Sequence, residues 1–151
     1  MKSAIRACIL GVALAGALAG CERRKETPPP APLAADTSTI QFQKIDTVVG
    51  SGRQASVGDR VTVHFTGWMY DPKAPGMRGQ QFDSSHQRMP YPFRIGGGKV
   101  YQAWDQGVAG MRVGGKRTLV VPAAMGYGKE GAGPIPPGAN LVFEIELLEV
   151  E

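Results

Sequence analysis

The sequence predicts an α+β fold, an antiparallel sheet of four to six strands carrying one short helix. Three observations lead there. Between Arg60 and Tyr70, the apolar Val61, Val63 and Phe65 alternate with Thr62, His64 and Thr66, the period of two of a half-buried strand. Near the C-terminus, Leu141, Phe143, Ile145 and Leu147 share one face, with Glu144 and Glu146 on the other. Finally, the 151 residues include 21 Gly and 12 Pro, a turn-rich composition that does not suit a helical bundle.

The chain divides into residues 1–20, 21–39 and 40–151. Lys2 and Arg6 precede an apolar run from Cys8 to Leu18, the pattern of a signal peptide. Ala7 to Gly20 is 14 residues, short of the ~20 that span a bilayer as a helix. Leu18-Ala19-Gly20-Cys21 resembles the lipobox of bacterial lipoproteins. That resemblance implies cleavage before Cys21, acylation of its thiol, and stable membrane anchoring through two or more acyl chains. Glu22, where Asp would signal inner-membrane retention, points to the outer membrane, facing the periplasm. Residues 22–39 hold Pro28, Pro29, Pro30 and Pro32 and few large apolar side chains, so they are expected to form an extended spacer.

Within 40–151, Phe42–Val49 reads as a first strand, ended by Gly50-Ser51-Gly52. Arg60–Tyr70 is the second. Pro72, Pro75, Gly76 and Gly79 make Asp71–Gln81 a long loop. Pro92–Ile95 forms a short strand and Gly96-Gly97-Gly98 a turn. Tyr101–Ala109 is the one helix; Trp104 and Val108 lie at i and i+4 on it, and Gly110 stops it. Lys116–Val121 is a strand ended by Pro122. Ala123–Ala139 is a Gly/Pro-rich loop, and Leu141–Val150 closes the sheet.

Several classes of chemistry are excluded. From residue 40 onward there are 12 basic and 10 acidic side chains, a balance that gives no basis for nucleic-acid binding. Cys8 and Cys21, the two cysteines, precede the folded part, so no internal disulfide staples it. There is no Gly-x-Ser-x-Gly elbow. His64 and His86 belong to no metal-type cluster and read as plain surface histidines. Gly98-Lys99 lacks the Ser or Thr a phosphate loop places next; Val100 stands there. Asp83 has no second carboxylate at fixed short spacing. Neither a metal nor a cofactor is expected.

All eleven aromatic residues fall after position 40. Phe42 and Phe93 fit the core. Tyr127 does not: it sits in Gly126-Tyr127-Gly128, in a loop, where it offers a ring and a hydroxyl donor. An apolar pocket with one or two donors suits rotation of the X-Pro amide. Its planar forms are separated by a barrier of roughly 18–20 kcal/mol. At the 90° twist, amide resonance is lost and the group becomes less polar, so a water-poor aromatic hollow favours the twisted state.

The residues from Arg60 to Val150 resemble an FKBP-type peptidyl-prolyl cis-trans isomerase. The matching runs are Val63-His64-Phe65-Thr66-Gly67, Phe82-Asp83-Ser84-Ser85, Trp104-Asp105-Gln106-Gly107-Val108, Met111-Arg112-Val113-Gly114, Val121-Pro122, Gly126-Tyr127-Gly128, Ile135-Pro136-Pro137 and Leu141 to Leu148. The resemblance implies a half-barrel sheet wrapped around the short helix. It makes Trp104 the pocket floor, with Phe82, Tyr91, Val100, Tyr101 and Phe143 as walls. It makes the Tyr127 hydroxyl and the Tyr101 backbone N–H donors to the substrate, gives Asp83 a carbonyl-orienting role, and sets Ile135 at the edge. Phe65 stands where the family usually has Tyr, removing a hydroxyl that commonly helps hold Asp83. The implied partners are proline-containing exported polypeptides and tacrolimus-type macrolides, and the implied state is a monomer. The alternative is a proline-peptide-binding chaperone or adaptor with little turnover.

Overall fold

The alternating run Arg60–Tyr70 folds as the central strand of a six-stranded sheet. The computed structural model describes residues 33–151, so the signal peptide, Cys21 and most of the spacer lie outside the described residues. The strands are β1 (Gln43–Val48), β2 (Arg60–Tyr70), β3 (Arg78–Ser84), β4 (Tyr91–Arg94), β5 (Lys116–Val121) and β6 (Leu141–Val150); helix α1 spans Gln102–Val108. Their order is β1-β5-β6-β2-β3, with β4 also on β2, and every pairing is antiparallel.

β6 lies along one edge of β2, from Val61↔Val150 to Met69↔Leu141. The other edge of β2 is shared. Arg60–Val63 pair with β4, and Thr66–Tyr70 pair with β3. Between them Ser85 takes the place of a strand: its N–H donates to the Phe65 carbonyl and its Oγ accepts from the Phe65 N–H, both at 2.9 Å. This split is what opens the sheet beside Phe65. It also corrects the surface reading of His64. The Nδ1 of His64 lies 2.9 Å from the Ser85 hydroxyl, and its half-buried ring stacks on His86 at 4.8 Å.

α1 lays Ala103, Trp104, Gly107 and Val108 on the concave face of the sheet. Gly107 permits the close approach, since a Cβ there would sit 2.4 Å from Leu119 Cδ1. Arg117, on β5, fastens the helix end. It donates to the carbonyls of Gly107 and Ala109 at 2.7 and 3.2 Å, and pairs with both Asp46 oxygens at 2.6 and 3.1 Å. One buried guanidinium thus joins the exposed edge strand β1 to the C-terminal carbonyls of α1, where a cation is favoured.

Five boundaries differ from the sequence reading, two of them, at β1 and β4, by only one residue at each end. The loop assigned to Asp71–Gln81 ends at Met77, and Arg78–Gln81 belong to β3. Arg78 reaches Glu144 at 2.6 Å and lies 4.6 Å over the Trp68 ring, so tertiary partners impose a strand on a polar, Gly-containing run. The helix is shorter than expected, with Tyr101 and Ala109 as its flanking caps. Residues 33–39 are not a free spacer. Leu33 donates to Pro134 O at 3.2 Å, and Asn140, itself buried, bonds Asp36 O at 3.0 Å and Ser38 O at 2.6 Å. Leu33 and Ala35 pack against the core. Among the described residues no helix is long and apolar enough to cross a membrane.

Candidate active site

Trp104 projects from α1 towards the gap in the sheet and is 4% exposed. Three rings meet it edge-on. Phe65, from β2, is at 4.9 Å and 67°; Phe143, from β6, at 5.5 Å and 88°; Tyr91, from β4, at 5.8 Å and 89°. Edge-to-face rings at these separations add to simple burial and fix the indole's orientation. The indole N–H is buried without a hydrogen-bond partner. Such a donor, left unmet, costs about 1–3 kcal/mol.

Above this floor opens a cavity of about 380 Å³. Phe65, Asp83, Tyr91, Val100, Tyr101, Trp104, Tyr127 and Phe143 all line it, with Gly98 and Lys99 at its rim. The structure therefore brings together eight of the residues singled out in the sequence. Phe82 and Ile135 are not among the lining residues. Phe82 stands one layer behind, its ring edge-on to Phe143 at 5.7 Å and to Tyr127 at 6.4 Å, so it props the wall. Gly67 makes room for it: a Cβ there would fall 2.5 Å from Phe82 Cζ and 2.9 Å from Phe143 Cε1. Ile135 is 4% exposed and packs into the core beneath the long loop, rather than edging the cavity.

The polar groups come from the rim. Tyr127 is carried by the loop after a 3-10 turn at Ala123–Met125, and its ring lies 4.5 Å from Tyr101. Burial raises its phenol above the ordinary value of 10, and the neighbouring Tyr101 and the Asp83 charge add to the effect. The hydroxyl stays protonated and able to donate. The Tyr101 N–H, at the helix N-cap, makes no backbone hydrogen bond among the described residues, as expected for the first donors of a helix. Asp83 ends β3. Its Oδ1 accepts from the Ser84 N–H at 2.8 Å and pairs with the Arg88 guanidinium. With Phe65 in place of a hydroxyl-bearing ring, these two donors hold the carboxylate.

Arg88, Ser85, Gly67 and Lys99 escaped the sequence reading. Gly67 lay inside a quoted run and could have been found as a glycine interrupting a strand. Arg88 carried no periodic signal, because it acts from a loop. Among the described residues no three His, Cys, Asp or Glu side chains are grouped to hold a metal ion.

An antiparallel sheet, the one short α-helix among the described residues packed against it, and an aromatic hollow with a tyrosine hydroxyl at its rim define a small α+β domain with a site shaped for an apolar group. Residues 51–148 match the family model described as FKBP-type peptidyl-prolyl cis-trans isomerase, and the chain belongs to that family. It is 48% identical over 105 residues to FK506-binding protein 1 of Aspergillus oryzae, covering 67% of this chain and 90% of that protein. Over 101 residues it is 48% identical to an FK506-binding protein of Neisseria meningitidis serogroup C, covering 66% of this chain and 86% of that one. The crystal structure of AtFKBP13 superposes with a TM-score of 0.64 at 37% identity, over 73% of this chain and 93% of that one. That of FkpA from Escherichia coli gives 0.63 at 35% identity, over 78% and 51%. The antiparallel sheet around one short helix and the isomerase class agree with the sequence reading.

Proposed function

We propose that this isomerase acts on X-Pro bonds of exported polypeptides, in the cavity floored by Trp104. The observation that carries the reading is the floor itself: an indole 4% exposed, ringed edge-on by Phe65, Tyr91 and Phe143. The prolyl ring would rest there, shielded from water. Uncatalysed exchange takes ~10–100 s because the planar amide must be twisted. The twisted amide has lost its resonance dipole and suffers less than the planar form from the loss of water, so the hollow favours the transition state over either ground state. Tyr127 Oη and the Tyr101 N–H would fix the flanking carbonyls. Asp83, steadied by Arg88, would set the polarity on the amide side. The names of the relatives support a macrolide of the FK506 type as a second occupant of the same hollow.

The site of action is part of the proposal. The lipobox-like Leu18-Ala19-Gly20-Cys21 supports acylation at Cys21 and a monomer held on the outer membrane, facing the periplasm. Replacing Cys21 by Ser should release the protein from membranes; retention would refute the anchor. For the activity, a protease-coupled assay on an X-Leu-Pro tetrapeptide should show exchange well above the uncatalysed rate. Binding of the peptide without acceleration would favour the adaptor reading.

A further inference from the structure

Beside the isomerase cavity lies a second hollow of about 380 Å³, whose lining includes Arg60, Arg94, Lys99, Tyr91 and Phe93. Tyr91 and Lys99 line both hollows, so the two lie side by side with those side chains between them. The second lining carries three cations and no acid. Arg60 and Arg94 stand directly opposite each other where β2 pairs with β4. Like charges in that position repel.

The protein does little to relieve them. Arg60 approaches Glu151 at 3.8 Å, with the two side chains 59% and 61% exposed, an ion pair of small worth. Arg94 spends one donor on the Gly58 carbonyl at 2.5 Å. Lys99 forms no ion pair among the described residues. The acids closest in sequence are engaged elsewhere: Asp59 with Arg53 and the Ser56 N–H, and Asp105 with the Gly96 N–H. Phe93, 7% exposed, and the half-exposed Tyr91 give the groove an apolar base under its cations.

We infer that this groove binds an acidic stretch of the client chain, on one side of the proline held in the neighbouring cavity. The inference rests on the isomerase reading of that cavity and adds a charge preference to it. A chain leaving the cavity over Tyr91 passes Lys99 first and then the paired arginines. Carboxylates placed there relieve the Arg60–Arg94 repulsion, and basic flanks aggravate it. The substrate class is therefore proline-containing polypeptide with acidic residues next to the exchanging bond.

The test uses peptides sharing a Leu-Pro core, with three Glu, three Gln or three Lys placed before or after it. Exchange is followed by NMR and binding by fluorescence anisotropy of the labelled peptides, using the full chain. On one side of the core, Glu should raise kcat/KM about three- to tenfold over Gln, and Lys should lower it, as expected for several exposed charge contacts. The advantage should vanish near 1 M salt, where the screening length is about 3 Å. That salt series needs no substituted protein. In Arg60→Glu/Arg94→Glu the order of Glu and Lys peptides should invert. Acceleration of all flanks alike would overturn the groove and leave the isomerase reading intact. If no peptide were accelerated, the isomerase reading would fail. Anisotropy would then still decide the groove: tighter binding of the Glu flank upholds it, and equal binding ends it.

Discussion

The floor of the cavity and its rim are built on opposite terms. Trp104, Phe65 and Phe143 stand on α1, β2 and β6, each less than a tenth exposed, and belong to the hydrophobic core. Tyr127, Tyr101 and Lys99 stand on loops or a helix cap, with only partial burial or none. The floor cannot be changed without touching the fold. The rim can be altered while the sheet stays whole. A domain of this size has thus placed its solvent-excluding element where stability protects it, and its hydrogen-bond donors where they can reach a client.

Substitution at the floor should give the largest effect. Trp104→Ala is expected to cost about 3–5 kcal/mol in stability and about a hundredfold in kcat/KM, read by denaturant unfolding and the exchange assay. Trp104→Phe should cost far less stability, because it also removes the unpaired indole N–H. If both replacements destabilise equally, the orphaned donor is not the burden described.

A core change away from the cavity sharpens the contrast. Arg117→Ala should lose about 2–3 kcal/mol, since it leaves the Gly107 and Ala109 carbonyls without a partner. Turnover by the folded protein should stay close to the parent's. The same contact sets an acid limit. Hydrogen bonds from Arg117 hold the Asp46 carboxyl below its ordinary value of 3.8. A depressed folded-state value means that the contribution is present above about pH 4 and lost as pH falls below it. Asp46→Asn should flatten the stability–pH curve in that range, and an unchanged curve would remove Asp46 from the account.

The rim should respond in the reverse manner. Tyr127→Phe is expected to lower kcat/KM about three- to tenfold with little change in Tm. Burial keeps the phenol neutral above pH 10, so kcat/KM should show no loss from Tyr127 ionisation up to that pH. A large drop in Tm would mean that Tyr127 is core rather than rim. Phe65→Tyr should give the smallest effect, within about threefold in kcat/KM. Arg88 and the Ser84 N–H already hold Asp83, so a restored hydroxyl finds its task done. A gain above tenfold would show that they do not.

Legibility followed the same division. β2, β5 and β6 were readable to the residue, β2 and β6 through alternation that reports burial on one face and β5 through an apolar run ended by Pro122. The floor at Trp104 was reached through the family resemblance of the runs around it, not through periodicity. β3 was missed at Arg78–Gln81, where strand character comes from Glu144 and Trp68 across the sheet. Ser85 was missed because its partner Phe65 is distant in sequence, and Arg88 because its reach back to Asp83 runs across an irregular loop; neither has a period to announce it. Ile135 was placed too near the mouth, since a loop sequence does not say which side chain turns inward. The docking of residues 33–39 left no signal either: Ala, Thr and Ser read as spacer whether they are bound or free.

Asn140 gives that docked segment a significance beyond its length. Its amide holds Ser38 on one side, while its carbonyl oxygen Oδ1 accepts the Ala123 N–H at 3.1 Å on the other, at the start of the loop that bears Tyr127. One side chain is therefore the keystone between residues 36–38 and the lip of the cavity. Trimming the protein at residue 40 would strip Asn140 of its outer partners and slacken that lip, although not one residue of the cavity had been removed.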